Sequence, residues 1–201
     1  KIIDSNKKQE FTNFDKSFKI LKKESLKHSM NLIKNDLKNL GITHDSFFSE
    51  TNLVEKDLVK KAVKKLETNN YVKEGYLDAP KVDLGKSWKK TKRLIFKSSL
   101  FGDDVDRAMQ KNDGTWTYFA NDVAYHMDKI KRKHKYLINV LGADHTGYIK
   151  RITAAVKALS DNKVELNCKV CQLVKLYKDG KPFKMSKRAG DFISVKDLLN
   201  E

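Results

Sequence analysis

The run Tyr136-Leu137-Ile138-Asn139-Val140-Leu141 constrains this chain more than any other stretch. It is short and almost continuously apolar, the pattern of a parallel strand covered on both faces. Gly142-Ala143-Asp144-His145 follows at its C-terminal end. From Tyr148 to Leu159 the apolar residues Ile149, Ile152, Ala155, Val156 and Leu159 then return at helical spacing. A second strand run, Val164 to Leu176, comes next, and Val195 to Leu199 opens another helix. Strand, glycine turn, helix, strand is a βαβ unit. Ligands in such sheets bind where strand C-termini meet helix N-termini, the position held by Gly142 to His145.

The first half reads mainly as helix. From Ser17 to Leu40, apolar residues recur at three-to-five spacing, which predicts an amphipathic helix, broken or bent near Ser25 and ended by Gly41. Ile42 to Glu50 is a short strand or loop with His44 at the surface. Glu55 to Glu67 is a second helix, with Leu58, Val59, Ala62, Val63 and Leu66 on one face and Asn69-Asn70 as its stop. Tyr71-Val72, a turn at Gly75 and a strand over Arg93 to Phe96 follow. Gly102 to Arg107 is an acidic turn, read as a solvated Asp106–Arg107 ladder rather than a metal site. Tyr118 to Lys129 is helical. The chain thus divides into a mostly helical segment with short strands, 1–110, and an α/β segment, 111–201.

Lys and Arg number 42 against 26 Asp and Glu, and the net charge of +16 points to a polyanionic partner. Of those cations 37 are Lys and 5 are Arg, whereas phosphate recognition by geometry favours Arg forks. Asn and Ile are plentiful and Pro is scarce, so a biased genome composition accounts for part of the charge. No apolar run approaches the roughly 18 residues of a membrane span. The first ten residues lack the apolar core of a secretory signal, which makes the cytoplasm the expected location. Cys168 and Cys171 form a lone Cys-x-x-Cys whose odd offset in a strand turns the thiols to opposite faces, predicting structural cysteines and no metal.

Phe183 to Ile193 carries the strongest chemical signal. Lys184, Lys187 and Arg188 fall within five residues, Ser186 lies among them, and Gly190 follows two residues later. Such a loop can wrap a polyphosphate: charges meet the oxygens, the hydroxyl and backbone N–H groups add donors, and glycine permits a tight exit. Lys178-Asp179-Gly180-Lys181 just before it predicts a hairpin turn. Asp144 fits either of two roles, acceptor for ribose hydroxyls or N-cap of the next helix, and the phosphate loop in the same sheet unit favours the first. His145 beside it can contact a second ligand. Tyr118 and Asp122, four apart, share a helical face. They form either a seat for a guanidinium or a solvent-facing Asp beside a core Tyr.

Lys184-Met185-Ser186-Lys187 resembles the second signature of class I aminoacyl-tRNA synthetases, and Met185 to Gly190 resembles their arginyl branch. Asp113 to His126 and Ile138 to Tyr148 are similar to two further segments of that branch. The three blocks come in the family's order, and Leu37 to Glu50 fits more loosely, so the likeness runs over nearly the whole chain. The resemblance implies the second half of a Rossmann-like doubly wound parallel sheet, preceded by a mostly helical connecting insertion. It implies Tyr118, Asp122 and His145 around a substrate arginine, with Asp122 facing the guanidinium. Gly142 and Asp144 would lie against the adenosine of ATP, Gln172 and Val174 beside the adenine, and Met185 and Ser186 on the same nucleotide. Lys184 and Lys187 would be the catalytic cations holding the leaving pyrophosphate. The implied reaction is attack of the arginine carboxylate on the α-phosphate of ATP, supplied with Mg2+, followed by transfer from arginyl-adenylate to tRNA. Positioning and electrostatic stabilisation carry such a reaction, so no general base is needed. The family further implies a monomer at full length.

The resemblance also implies a His-x-Gly-His element and a helical anticodon-binding domain, and these 201 residues include neither. The expectation is a piece of the catalytic domain, cut at both ends and inactive alone. Two rival readings stand beside it. One is a Lys-rich module that binds RNA or nucleotide without chemistry. The other is a related class I ligase, such as a cysteinyl enzyme, whose zinc site this sequence lacks; Asp122 favours a cationic substrate instead.

Overall fold

The computed structural model describes residues 13–77, 91–178, 180–183, 193–194 and 197. They fall in two compact units, one drawn from residues 1–47 and 175–201 and the other from 48–174.

Helix α1 of the first unit, Phe14–Asn39, runs unbroken for 26 residues. The Asn13 side chain caps it by accepting from the Lys16 N–H, and Gly41, at φ +73°, supplies the left-handed residue that ends it. The break expected near Ser25 is not there. A serine costs a helix at most about 0.7 kcal/mol relative to alanine, and neither Pro nor Gly interrupts the ladder. Ile42 to Phe47 form a loop in which the exposed His44 ring lies 5.4 Å from that of Phe47.

The second unit opens with α2 (Thr51–Glu55) and α3 (Leu58–Thr68). Asp57, at φ +51°, separates them, so the expected helix from Glu55 begins three residues later, and a separate short helix precedes it. Strands β1 (Val72–Gly75), β2 (Arg93–Phe96) and β3 (Arg107–Ala108) form an antiparallel sheet in that order. Gly75 pairs with Arg93 inside the sheet rather than turning. A Cβ there would stand 3.2 Å from Ile95 Cδ1, so the glycine permits close packing on the neighbouring strand. The acidic turn also departs from expectation. Arg107 forks onto Asp103, with Nε to Oδ2 at 2.6 Å and Nη2 to Oδ1 at 2.7 Å, while Asp106 accepts from the Ser99 hydroxyl at 2.6 Å. Neighbours in an extended chain point to opposite sides, which keeps Asp106 from its own successor.

Helix α4 (Tyr118–Lys131) starts at Thr117, whose hydroxyl accepts from the Ala120 N–H. Then come β4 (Tyr136–Gly142), a 3-10 segment (Ala143–Tyr148), α5 (Ile149–Ser160) and β5 (Glu165–Cys171). β4 and β5 pair in parallel from Tyr136↔Glu165 to Gly142↔Cys171, which confirms the βαβ unit. The core joins Val59, Ala62 and Leu66 of α3, Phe119, Val123 and Met127 of α4, and Ile152, Val156 and Leu159 of α5 to Leu137 and Leu166 of the strands. Lys65 Nζ reaches across to the Leu159 carbonyl at 2.6 Å.

β4 is covered on one face only. Tyr136, Ile138 and Val140 remain 71%, 63% and 69% exposed, because the described residues of this unit supply no layer on that side. β5 stops at Cys171 instead of running to Leu176, and residues 172–175 are irregular. Both cysteines are free thiols, Cys168 half-buried and Cys171 exposed, as their odd offset requires. Back in the first unit, β6 (Leu176–Lys178) and β7 (Lys181–Phe183) form the expected antiparallel hairpin, with Gly180 at φ +73° between them. Of the predicted helix Val195 to Leu199, only Asp197 lies among the described residues. No described helix is long and apolar enough to cross a membrane.

Candidate active site

At the C-terminal end of β4, Gly142 hands the chain to the 3-10 segment that carries Asp144 and His145. The Asp144 carboxylate folds back over Gly142, and a Cβ on that glycine would lie 2.6 Å from Oδ1. His145 Nε2 stands 3.6 Å from Asp144 Oδ2, and both side chains are exposed. Asp144 is not a helix cap: the N-cap of α5 is Tyr148, four residues on, and it makes no side-chain cap bond. An exposed carboxylate and imidazole at a parallel strand's C-terminal end are free to meet a polar ligand.

Asp122 projects from the first half of α4 and is bound from the far end of the same 3-10 segment. The Tyr148 hydroxyl donates to Asp122 Oδ2 at 2.5 Å. Burial pushes the Tyr148 phenol well above its ordinary pKa, and the adjacent Asp122 carboxylate pushes it further, so it stays a donor. Its ring is held edge-on to Phe119, with centroids 6.3 Å apart, and the Arg151 guanidinium lies 5.1 Å from its centroid. The backbone of Asp122 is tied as well. Its carbonyl lies 2.8 Å from Nδ1 of the buried His126, whose Nε2 meets Asn139 Nδ2 of β4 at 2.9 Å. Lys129 Nζ donates to Asn139 Oδ1 at 2.9 Å, which fixes the amide, and the amide N–H then fixes the imidazole with its proton on Nδ1. Burial lowers the pKa of His126 and keeps it neutral; burial likewise lowers that of Lys129.

The residues expected from sequence therefore fare differently. Gly142, Asp144 and His145 share one turn, and Asp122 is linked to its last residue. Tyr118 is 82% exposed, so it is no core tyrosine, and its ring lies 5.9 Å from Lys111 Nζ. Gln172 and Val174 are exposed in the irregular segment after β5, not in a strand. Lys184, Met185, Ser186 and Lys187 lie outside the described residues. Tyr148, His126 and Asn139 were missed as site residues. His126 follows Asp122 by four, the spacing at which an imidazole reaches back to a helix carbonyl. Asn139 interrupts an apolar strand and so needed a polar partner. Among the described residues no group of three His, Cys, Asp or Glu side chains is placed to hold a metal ion.

Fold and site together define an α/β domain of the class that takes its ligand at the carboxyl ends of its strands. Residues 5–201 match the model of the family described as tRNA synthetases class I (R), catalytic domain, and the chain belongs to that family. Among curated relatives, arginine–tRNA ligase of Pelagibacter ubique is 56% identical over 200 residues, and that of Ehrlichia chaffeensis 48% over 188. These alignments take in 100% and 94% of this chain but 35% and 33% of the relatives, so the chain spans about a third of their length. A crystal structure from Campylobacter jejuni, assigned as an arginyl-tRNA synthetase, superposes with a TM-score of 0.68 at 34% identity, covering 86% of this chain and 34% of that one. The arginyl-tRNA synthetase structure from Plasmodium falciparum, at 17% identity and a TM-score of 0.56, covers 80% of this chain and 25% of its own and shares the fold.

Proposed function

We propose that this chain is part of the catalytic domain of an enzyme that ligates arginine to tRNA through arginyl-adenylate. The observation that carries the reading is the Asp122 carboxylate, fixed by Tyr148 to the segment that bears Asp144 and His145. A carboxylate held in place is suited to a planar cation, which it can meet through charge-assisted hydrogen bonds. Asp122, Tyr118 and His145 take the arginine side. Gly142 and Asp144 receive the adenosine, with the Asp144 carboxylate accepting from ribose hydroxyls, and Gln172 and Val174 flank the adenine. Lys184, Met185, Ser186 and Lys187 wrap the triphosphate, delivered as its magnesium complex. The arginine carboxylate attacks the α-phosphorus, the bond to the bridging oxygen breaks, and pyrophosphate leaves. Lys184 and Lys187 offset the charge that builds on it. The activated arginyl group then passes to the terminal ribose of tRNA. In this reading residues 1–110 are the connecting insertion and 111–201 the second half of the catalytic sheet. The full-length enzyme is a monomer of the cytoplasm.

The test is amino-acid-dependent exchange of pyrophosphate into ATP by the full-length enzyme with tRNA present, run with each proteinogenic amino acid in turn. Arginine alone should support exchange. Exchange driven by another amino acid, or by none, overturns the reading.

A further inference from the structure

Asp122 is restrained at two points, directly by Tyr148 at the end of the 3-10 segment and, through His126 of its own helix, by Asn139 of β4. Its carboxylate accepts from Tyr148, and its carbonyl accepts from His126. Tyr148 is itself immobilised: its ring packs edge-on to Phe119 under the Arg151 guanidinium, so its hydroxyl cannot follow the carboxylate to another rotamer. An aspartate on a helix face without such a partner exchanges among staggered χ1 wells, and a ligand must then select one of them. With Oδ2 engaged, one carboxylate rotamer is favoured before any ligand arrives, and Oδ1 is left for the incoming N–H donors.

We infer that Tyr148 is a positioning residue, which presets the Asp122 carboxylate for a cationic side chain by holding Oδ2 and turning Oδ1 to the ligand. The inference rests on the reading of Asp122 as the arginine-binding carboxylate. Tyr148 acts through Asp122 and touches neither the nucleotide nor the reacting atoms. Its loss therefore falls on arginine recognition and spares both ATP binding and the chemical step.

The experiment is Tyr148→Phe in the full-length enzyme, a change that keeps the ring, its packing on Phe119 and its place under Arg151. Arginine and ATP KM and kcat are measured by pyrophosphate exchange with tRNA present, alongside Tm. Arginine KM should rise about tenfold, the effect of losing one hydrogen bond to a charged group, with ATP KM and kcat within about twofold of wild type. In an Asp122→Asn background the same change should add little, because the two residues act as one unit. Tyr148→Leu, which removes ring and hydroxyl together, should lower Tm as well, separating the packing role from the polar one. An unchanged arginine KM in Tyr148→Phe, or equal rises for arginine and ATP, overturns the inference while leaving the arginine reading intact. A wild-type enzyme that shows no arginine-dependent exchange overturns both.

Discussion

A methyl group on Gly142 would collide with the carboxylate of Asp144, two residues on, at 2.6 Å from Oδ1. Gly142 has φ −69° and ψ 157°, which any residue can adopt. The glycine therefore makes room for its neighbour's side chain in its observed position and is not demanded by its own backbone. Gly142→Ala should leave stability within about 1 kcal/mol of the parent, since the atom it displaces ends a short, exposed side chain. It should raise the ATP KM severalfold by moving Asp144, with little change in arginine KM. Steady-state exchange kinetics with each substrate varied in turn, together with a urea melt, checks both halves.

Asp122→Asn keeps the shape and removes the charge. On the proposed reading it weakens arginine far more than ATP, by about 1.5–3 kcal/mol or roughly tenfold to a hundredfold in arginine KM. Equal losses for the two substrates would show that Asp122 supports the fold and not the amino acid. The same kinetic assay decides between them.

Arg107 and Asp103 make a forked ion pair in which the Asp103 side chain is wholly buried. Burial alone would raise the Asp103 pKa; donors from Arg107, Ser98 and the Asp104 N–H outweigh it and hold the carboxyl below its usual value. Removing one partner strands a buried charge, so Arg107→Ala should cost about 3–5 kcal/mol in urea unfolding at neutral pH. Because the folded pKa is depressed, the pair's contribution is present above the unfolded value of 3.8 and is lost as pH falls through the folded one. The penalty of the variant should therefore shrink in strong acid.

His126 acts in the same direction at higher pH. Burial depresses its folded pKa below the unfolded 6.5, so the unfolded chain binds more protons between the two values. Stability should rise with pH through that window and be lost as pH drops below about 6.5. Urea midpoints measured between about pH 5 and pH 7 should slope upward in the parent and flatten in His126→Gln. A parent curve that is flat over this range would mean the imidazole charges without penalty.

The βαβ unit was readable because a glycine-closed apolar run leaves little choice but a strand, and the helix after it repeats its apolar residues at the right interval. The hairpin was readable because Asp179-Gly180 follows a strand run, and a glycine there supplies the left-handed turn residue. Arg107 was assigned the wrong partner, since sequence proximity favours Asp106 while the pleat turns it away. The apolar run Tyr136 to Leu141 predicted two covered faces, but composition reports only what a strand can bury, not whether a second layer is present. Asp122 was singled out through its residue type and a family likeness, whereas Tyr148 lies 26 positions away and is joined to it only by the tertiary fold. His126 and Asn139 left traces in the sequence, a helical i,i+4 spacing and one amide in a greasy strand, and each trace became meaningful only beside the other.

The uncovered side of β4 makes a final physical consequence for the isolated chain. Tyr136, Ile138 and Val140 present a wet row of oily groups along an open strand, and water would rather not hold it. Mutual repulsion from a surplus of 16 positive charges opposes the meeting of two copies there. That repulsion reaches about 30 Å in 0.01 M salt and only about 3 Å in 1 M. Adding simple electrolyte should therefore drive molecules of the chain together rather than apart, and light scattering would record the crossover.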